Sequence, residues 1–411
     1  VRDASVGVYV HIPFCERICP YCDFAVIAAR DLSADQETRY VDALLRELAL
    51  RGDVYRDRDA AADARGSAEP PRASAARRRL ASIYLGGGTP SLLHPESVAR
   101  ILEAIRAMFP SDGPVEISLE VNPSTLERSR LPGFRAVGVN RVSVGVQSFD
   151  DAILKRLGRA HRAEEADRTL AACRAAGFEA VSLDLIVAAP GQRLADLEAD
   201  LERALDFGPD HVSVYELTIE PGTPFALAAR RGQLRGADEG EAIAMLETTE
   251  ARLRAAGFER YEISNYARAG FRSVHNRRYW ERQPVLGLGV GAFSTEPPTA
   301  TAPYGARRSN VRDLAGYLAR IAGDQLPAAG PPEVFAARTA RGEAAFLALR
   351  GSRGLLAAEF AGEFGQPPRA FFGAAIDRLL AAGLLDEAEG GDLRLSARGR
   401  LLADTVFAEF V

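Results

Sequence analysis

The stretch His11-Ile12-Pro13-Phe14-Cys15-Glu16-Arg17-Ile18-Cys19-Pro20-Tyr21-Cys22-Asp23-Phe24 decides how this chain is read. Three of its four cysteines fall within eight residues there, spaced C-x3-C-x2-C, directly after an apolar run that reads as a strand. Three thiolates on so short a loop can hold three irons of a [4Fe–4S] cluster, the cluster type that soft thiolate ligands select. The fourth iron then has no protein ligand. An open coordination position separates a working metal site from a closed structural one, and here it suits the amino and carboxylate groups of S-adenosyl-L-methionine. A zinc knuckle is one alternative, and it needs a fourth Cys or His at close spacing, which neither Asp23 nor the distant Cys173 supplies convincingly. Unmodified thiols are the other.

The 411 residues exceed one ordinary domain and suit a large α/β domain followed by a smaller one. A hydrophobic content of 47% is ample for a sizeable core. The formal charge of −5 gives no general attraction to nucleic acid or anionic lipid. Four cysteines, one of them isolated, do not make a disulfide framework and point to a reducing compartment. No charged-then-apolar leader opens the sequence, and no uninterrupted apolar run of ~20 residues could span a bilayer. The expected setting is cytoplasmic, with no stable membrane insertion and no nucleic-acid partner.

Val6-Gly7-Val8-Tyr9-Val10 reads as the first strand. Over residues 34–51, Tyr40, Val41, Leu44, Leu45 and Leu48 recur at three- and four-residue steps, which predicts an amphipathic helix. Residues 54–79 have almost no large apolar side chains and read as a disordered surface insertion ending in the solvated Arg77-Arg78-Arg79 run. Strands then follow at 81–85, 115–121, 141–147, 180–187 and 211–218, alternating with helical stretches. Six apolar strands alternating with helices predict a parallel sheet wound right-handedly into a full or partial barrel. Polar or glycine-rich motifs stand at or near the ends of the first five: the cysteine loop, Gly86-Gly87-Gly88-Thr89-Pro90, Glu120-Val121-Asn122-Pro123, Gln147 and Asp184. Parallel α/β folds place their active sites at C-terminal strand ends. The chain from about residue 311 is largely helical and ends in a helix, Gly383 and a short turn-and-strand, a winged-helix-like layout. It lacks a basic recognition face, so a structural or lid role is expected of it.

The cysteine stretch from Tyr9 to Phe24, Leu157-Gly158-Arg159-x-His161, Leu217-Thr218-Ile219-Glu220-Pro221-Gly222-Thr223 and His275-Asn276-x-x-Tyr279-Trp280 together resemble the radical-SAM family that contains oxygen-independent coproporphyrinogen III oxidase (HemN) and the heme chaperone HemW. The resemblance runs from Val8 nearly to the C-terminus, failing only over residues 54–79, and is nearest to the chaperone branch. It implies an α/β fold: a partial (β/α)6 radical-SAM barrel over residues 1–230, an extension carrying HNxxYW over 231–310, and a smaller, mainly helical, winged-helix-like C-terminal domain over 311–411.

The same resemblance implies that Cys15, Cys19 and Cys22 ligate the [4Fe–4S] cluster. It implies that Tyr9, Gly87, Gly88, Thr89, Glu120, Gln147, Arg159 and Asp184 surround S-adenosylmethionine. The glycines would receive the methionyl amino group, the carboxylates would suit the ribose hydroxyls, and Arg159 would take the carboxylate through a forked pair. His275 would ligate heme iron while Tyr279 and Trp280 pack the macrocycle. Implied partners are a heme-protein acceptor and an electron donor of flavodoxin or ferredoxin type. His11 reads as a buried core histidine and Cys173 as packed in a helix.

Two departures bear on the activity. Ala188-Ala189-Pro190-Gly191-Gln192 stands where the family usually has Gly-Leu-Pro-Gly-Gln. The oxidase carries a fourth cysteine two residues after the third, where this chain has Phe24, and an N-terminal extension, whereas this sequence starts almost at the first strand. The expected function is therefore that of a heme chaperone. The alternative is oxidative decarboxylation of coproporphyrinogen III to protoporphyrinogen IX, with enzymatic turnover left open.

Overall fold

The computed structural model describes residues 5–56 and 78–411. All six expected strands form: β1 Ser5–Ile12, β2 Arg79–Gly87, β3 Glu116–Val121, β4 Arg141–Gln147, β5 Ala180–Val187 and β6 His211–Glu216. They pair in parallel in that order. Every residue of β1 except the half-buried Tyr9 is buried, as in a strand covered on both faces. A seventh parallel strand, β7 Val285–Leu288, lies on the other side of β1, with Gly7 opposite Val285 and Val10 opposite Leu288. Short antiparallel strands extend both margins, so the sheet has twelve strands in an open order and makes a partial barrel. Among the described residues no helix is long and apolar enough to cross a membrane.

Helix α1 spans Ala34–Arg56, past the expected stop at residue 51. Tyr55 continues the apolar stripe one heptad after Leu48 and is 1% exposed. The insertion is accordingly shorter than residues 54–79. Its first three residues are helical, Arg78 is buried, and Arg79 opens β2. Residues 57–77 of the expected insertion lie outside the described residues.

A buried ionic hub fastens α1 to β7. Glu47 is fully buried and accepts hydrogen bonds from Arg51 (2.8 Å), the Gly289 amide (2.8 Å), Asn310 (2.7 Å) and the Tyr317 hydroxyl (2.8 Å). Arg51 in turn donates to the Gly287 carbonyl and to Ser294. Every lone pair of this carboxylate is engaged, which is the condition under which a buried charge is tolerated.

Three further helices are α2 Glu239–Ala255, α3 Val274–Trp280 and α4 Ala337–Arg350. After α4 come two helices, Ala357–Phe364 and Pro368–Ala381, and a hairpin of Leu385–Glu387 with Leu393–Leu395. These elements pack around their own apolar core, including Leu349, Phe360, Ile376, Leu393 and Val406.

Glu47→Ala leaves Arg51 and three other buried donors without their acceptor. It is expected to lower unfolding free energy in urea by about 3–5 kcal/mol. A loss below about 1 kcal/mol, the range of exposed ion pairs, would contradict the hub.

Candidate cofactor site at the strand ends

Between β1 and α1 the chain forms a two-residue strand, Phe14–Cys15, paired in parallel with Ile27–Ala28, and the cysteine loop is closed between them. The glycine-rich end of β2 is fastened directly to this loop. The Gly88 amide donates to the Ile12 carbonyl and the Thr89 amide to the Phe14 carbonyl, each at 2.8 Å. A Cβ on Gly88 would lie 2.7 Å from the Phe14 oxygen and 3.0 Å from Cys15 Sγ. Only glycine permits that approach. Gly87 holds a φ of +107° and its amide donates to Glu120 at 2.9 Å.

A polar network joins two of the three thiols. Thr89 Oγ1 donates to Cys15 Sγ (3.7 Å) and accepts from Asn122 Nδ2 (2.6 Å). Arg159 donates to Asn122 Oδ1 (2.6 Å), the Gly145 carbonyl (3.0 Å) and Cys19 Sγ (3.5 Å). Asn122 thus bridges the two residues that touch sulfur. The role of Asn122 is not legible in the sequence, because the bridge exists only once β3 and the Arg159 turn are side by side. Burial pushes the Cys15 thiol up to about 11, and the neighbouring cysteines act in the same direction. At Cys15 and Cys22 burial therefore disfavours the bare thiolate.

Deeper in the barrel, Glu120 accepts from the Tyr84 hydroxyl at 3.0 Å and Asp184 from Ser143 at 3.0 Å. Burial, then the charge of Asp184, pushes Glu120 up to about 7, and burial pushes Asp184 up to about 6. Tyr9 stacks on Tyr84 with ring centroids 6.2 Å apart, and its hydroxyl meets His11 Nδ1 at 3.1 Å. His11 Nε2 lies 2.9 Å from the Ala25 carbonyl, so this buried histidine ties β1 to the far side of the cysteine loop. Gln147 ends β4 at φ +68° and Ala188 follows β5 at φ +59°. Ala188 holds a left-handed conformation with a Cβ, where the family usually has glycine.

The HNxxYW segment forms helix α3, and it lies at the opposite end of the strands. Glu116, the first residue of β3, accepts from Ser273 Oγ and from the Val274 and His275 amides at the start of α3. His275 is 1% exposed. Its Nδ1 meets Ser82 Oγ at 2.9 Å and its Nε2 the Tyr279 hydroxyl at 3.2 Å. Burial, then Arg278, pushes it down to about 3, so it is a neutral imidazole with both nitrogens engaged. His275 and Tyr279 share one face of α3, as i,i+4 spacing allows. Trp280 instead lies beneath the Arg350 guanidinium, 4.4 Å from its ring centroid. The three residues do not form a single open face.

The "Radical SAM superfamily" profile matches residues 71–204, and the "HemN C-terminal domain" profile matches residues 336–402. "Heme chaperone HemW" of Bacillus subtilis is 32% identical over 98% of this chain and 99% of its own length. Its counterpart in Mycobacterium tuberculosis is 36% identical over 97% of this chain and 93% of its own. The chain belongs to the HemW heme-chaperone family. Coproporphyrinogen III oxidase (HemN) from Escherichia coli, described as a radical SAM enzyme, shares the fold at a TM-score of 0.79 and 22% identity, covering 99% of this chain and 90% of that one.

Membership of the radical-SAM superfamily brings a [4Fe–4S] cluster and S-adenosylmethionine, and the strand-end residues of this HemW-family chain fit both. Three cysteines stand on one closed loop, beside a glycine cradle that a Cβ would fill. Arg159 Nε is buried without a hydrogen-bond partner among the described residues, a donor in want of an acceptor. Glu120 and Asp184 are buried acceptors whose pKa values burial raises.

Proposed function

We propose that this chain binds heme and passes it to a heme-protein acceptor, and that it does so on a scaffold loaded with a [4Fe–4S] cluster and S-adenosylmethionine. The observation that carries this reading is the end-to-end similarity to HemW chaperones, 32% over 98% of this chain in one case. Phe24 in place of the oxidase's fourth cysteine agrees with it.

In this reading Cys15, Cys19 and Cys22 ligate the cluster, while Thr89 and Arg159 donate to two of the sulfurs and tune it. Gly87, Gly88 and Thr89 present backbone to the methionyl amino group. Glu120 and Asp184 accept from ribose hydroxyls, Tyr9 and Gln147 line the same space, and Arg159 offers its free Nε–H to the carboxylate. When bound, the two cofactors supply one-electron reductive cleavage of S-adenosylmethionine. The electron would come from a donor of flavodoxin or ferredoxin type, and the exposed Phe24 and Ile18 border the loop through which it would pass.

Heme is assigned to the neighbourhood of α3, with His275 as the iron ligand and Tyr279 and Trp280 as packing partners. Ligation requires His275 Nε2 to leave Tyr279 or Nδ1 to leave Ser82. Its depressed pKa costs nothing here, because iron takes the neutral imidazole.

The buried carboxyls set a pH dependence. A carboxyl raised in the folded state keeps its proton where the unfolded chain has lost it, so unliganded stability falls as pH rises from about 4.5 to about 7. Ribose hydroxyls donate to the ionised form. S-adenosylmethionine affinity of the reconstituted protein should therefore rise from pH 6 to pH 8, with proton release in calorimetry near pH 6.5 that disappears by pH 8.5. Glu120→Gln should flatten the rise. A flat wild-type profile would contradict the carboxylate assignment.

The heme assignment is tested on cluster-reconstituted, anaerobic protein titrated with heme and followed in the Soret band, with parallel assay of coproporphyrinogen conversion. Stoichiometric binding without conversion is expected, and His275→Ala should lose or shift the band. Conversion with only weak heme binding would instead mark a porphyrinogen oxidase.

A further inference from the structure

Four side chains form one directed chain of hydrogen bonds that starts at a positive charge and ends on a cysteine sulfur. Arg159 Nη2 donates to Asn122 Oδ1 at 2.6 Å, Asn122 Nδ2 donates to Thr89 Oγ1 at 2.6 Å, and Thr89 Oγ1 donates to Cys15 Sγ at 3.7 Å. The direction follows from which groups can donate. A guanidinium has no acceptor, so it takes the oxygen of the Asn122 amide and leaves the amide N–H to face Thr89. The Thr89 hydrogen cannot point back at that N–H, and it goes to the sulfur.

Asn122 is the link that sets this direction. A Cβ on Gly145 of β4 would lie 3.1 Å from Asn122 Oδ1 and 3.2 Å from Arg159 Nη2, so the amide and the guanidinium are packed against bare backbone and have little room to turn. Arg159 has a second anchor in the Gly145 carbonyl at 3.0 Å and does not depend on Asn122 for its place. Thr89 has no such second anchor for its hydroxyl, whose only printed partners are Asn122 and Cys15, and it is 2% exposed. Aligned bonds of this kind polarise one another. The orientation of the Thr89 hydroxyl therefore hangs on Asn122.

We propose that Asn122 is a positioning residue that aims the Thr89 hydroxyl at Cys15 and thereby raises the reduction potential of the cluster. The assignment rests on the reading of Cys15, Cys19 and Cys22 as the cluster ligands. A reduced cluster carries one more negative charge than the oxidised one, so a donor on a ligating sulfur favours the reduced form, and hydrogen bonds to sulfur are among the influences that set such potentials. Partners that orient metal ligands are typically worth tenfold or more. For a one-electron couple, tenfold is about 59 mV.

The test is an anaerobic redox titration of the full, cluster-reconstituted chain without S-adenosylmethionine, followed by electron paramagnetic resonance of the reduced cluster. The variants are Asn122→Ala, Thr89→Val, the two combined, and Thr89→Ser, which keeps the hydroxyl. Asn122→Ala and Thr89→Val should each lower the midpoint by about 59 mV or more. The combined variant should lie no lower than Thr89→Val, because Asn122 acts through Thr89, and Thr89→Ser should titrate like wild type. A wild-type midpoint in Asn122→Ala or in Thr89→Val overturns the assignment, as do additive shifts or a Thr89→Ser midpoint as low as that of Thr89→Val. If Asn122→Ala assembles no cluster, Asn122→Asp takes its place, since it keeps the bond from Arg159 and draws the Thr89 hydroxyl to itself. Its shift should shrink on the Thr89→Val background, and a shift of undiminished size overturns the assignment. In each of these cases the ligand reading stands, because wild type holds its cluster. A wild type that assembles no cluster overturns the ligand reading and this assignment with it.

Discussion

The contact on which the site depends is the one between the glycine end of β2 and the start of the cysteine loop. Two backbone hydrogen bonds of 2.8 Å fasten Gly88 and Thr89 to Ile12 and Phe14, at a separation no Cβ would allow. That joint puts the thiol of Cys15 beside the Thr89 hydroxyl and so beside Asn122 and Arg159. A parallel sheet supplies the rest without further invention. Because successive strands run the same way, the residues that follow β1 to β5 all emerge at one end, and the site assembles from segments as distant as Cys19 and Arg159.

The other end of the strands is occupied by α3. Its N-terminus is capped by Glu116 at the start of β3, and on its inward face His275 meets the rings of Tyr84 and Tyr9 while Tyr279 packs edge-on against His275. Tyr84 in turn donates to Glu120. The HNxxYW helix and the strand-end carboxylates are therefore joined through one tyrosine across the barrel interior.

Much of this was legible in the sequence. The six strands announced themselves as apolar runs because a sheet covered on both faces has no polar side to interrupt them. β7 was hidden by its glycines: Gly287 sits where a neighbouring strand crosses closely, and Leu286-Gly287-Leu288 looks like a loop until β1 is beside it. α3 was hidden by shortness and by the run Asn276-Arg277-Arg278, although its 275/279 spacing was a helical signal. The boundary of α1 slipped because Tyr55 stands one heptad beyond the last obvious stripe residue.

The central claim is that this chain carries heme in order to give it away. The most direct measurement loads cluster-reconstituted protein with one equivalent of heme, adds a heme-free acceptor apoprotein, and follows the acceptor's Soret signature under anaerobic conditions. The account predicts transfer approaching one heme per chain, faster than from an equal amount of heme held on a non-specific carrier such as albumin. Heme that stays on the chain, or that moves no faster than from the carrier, would contradict it.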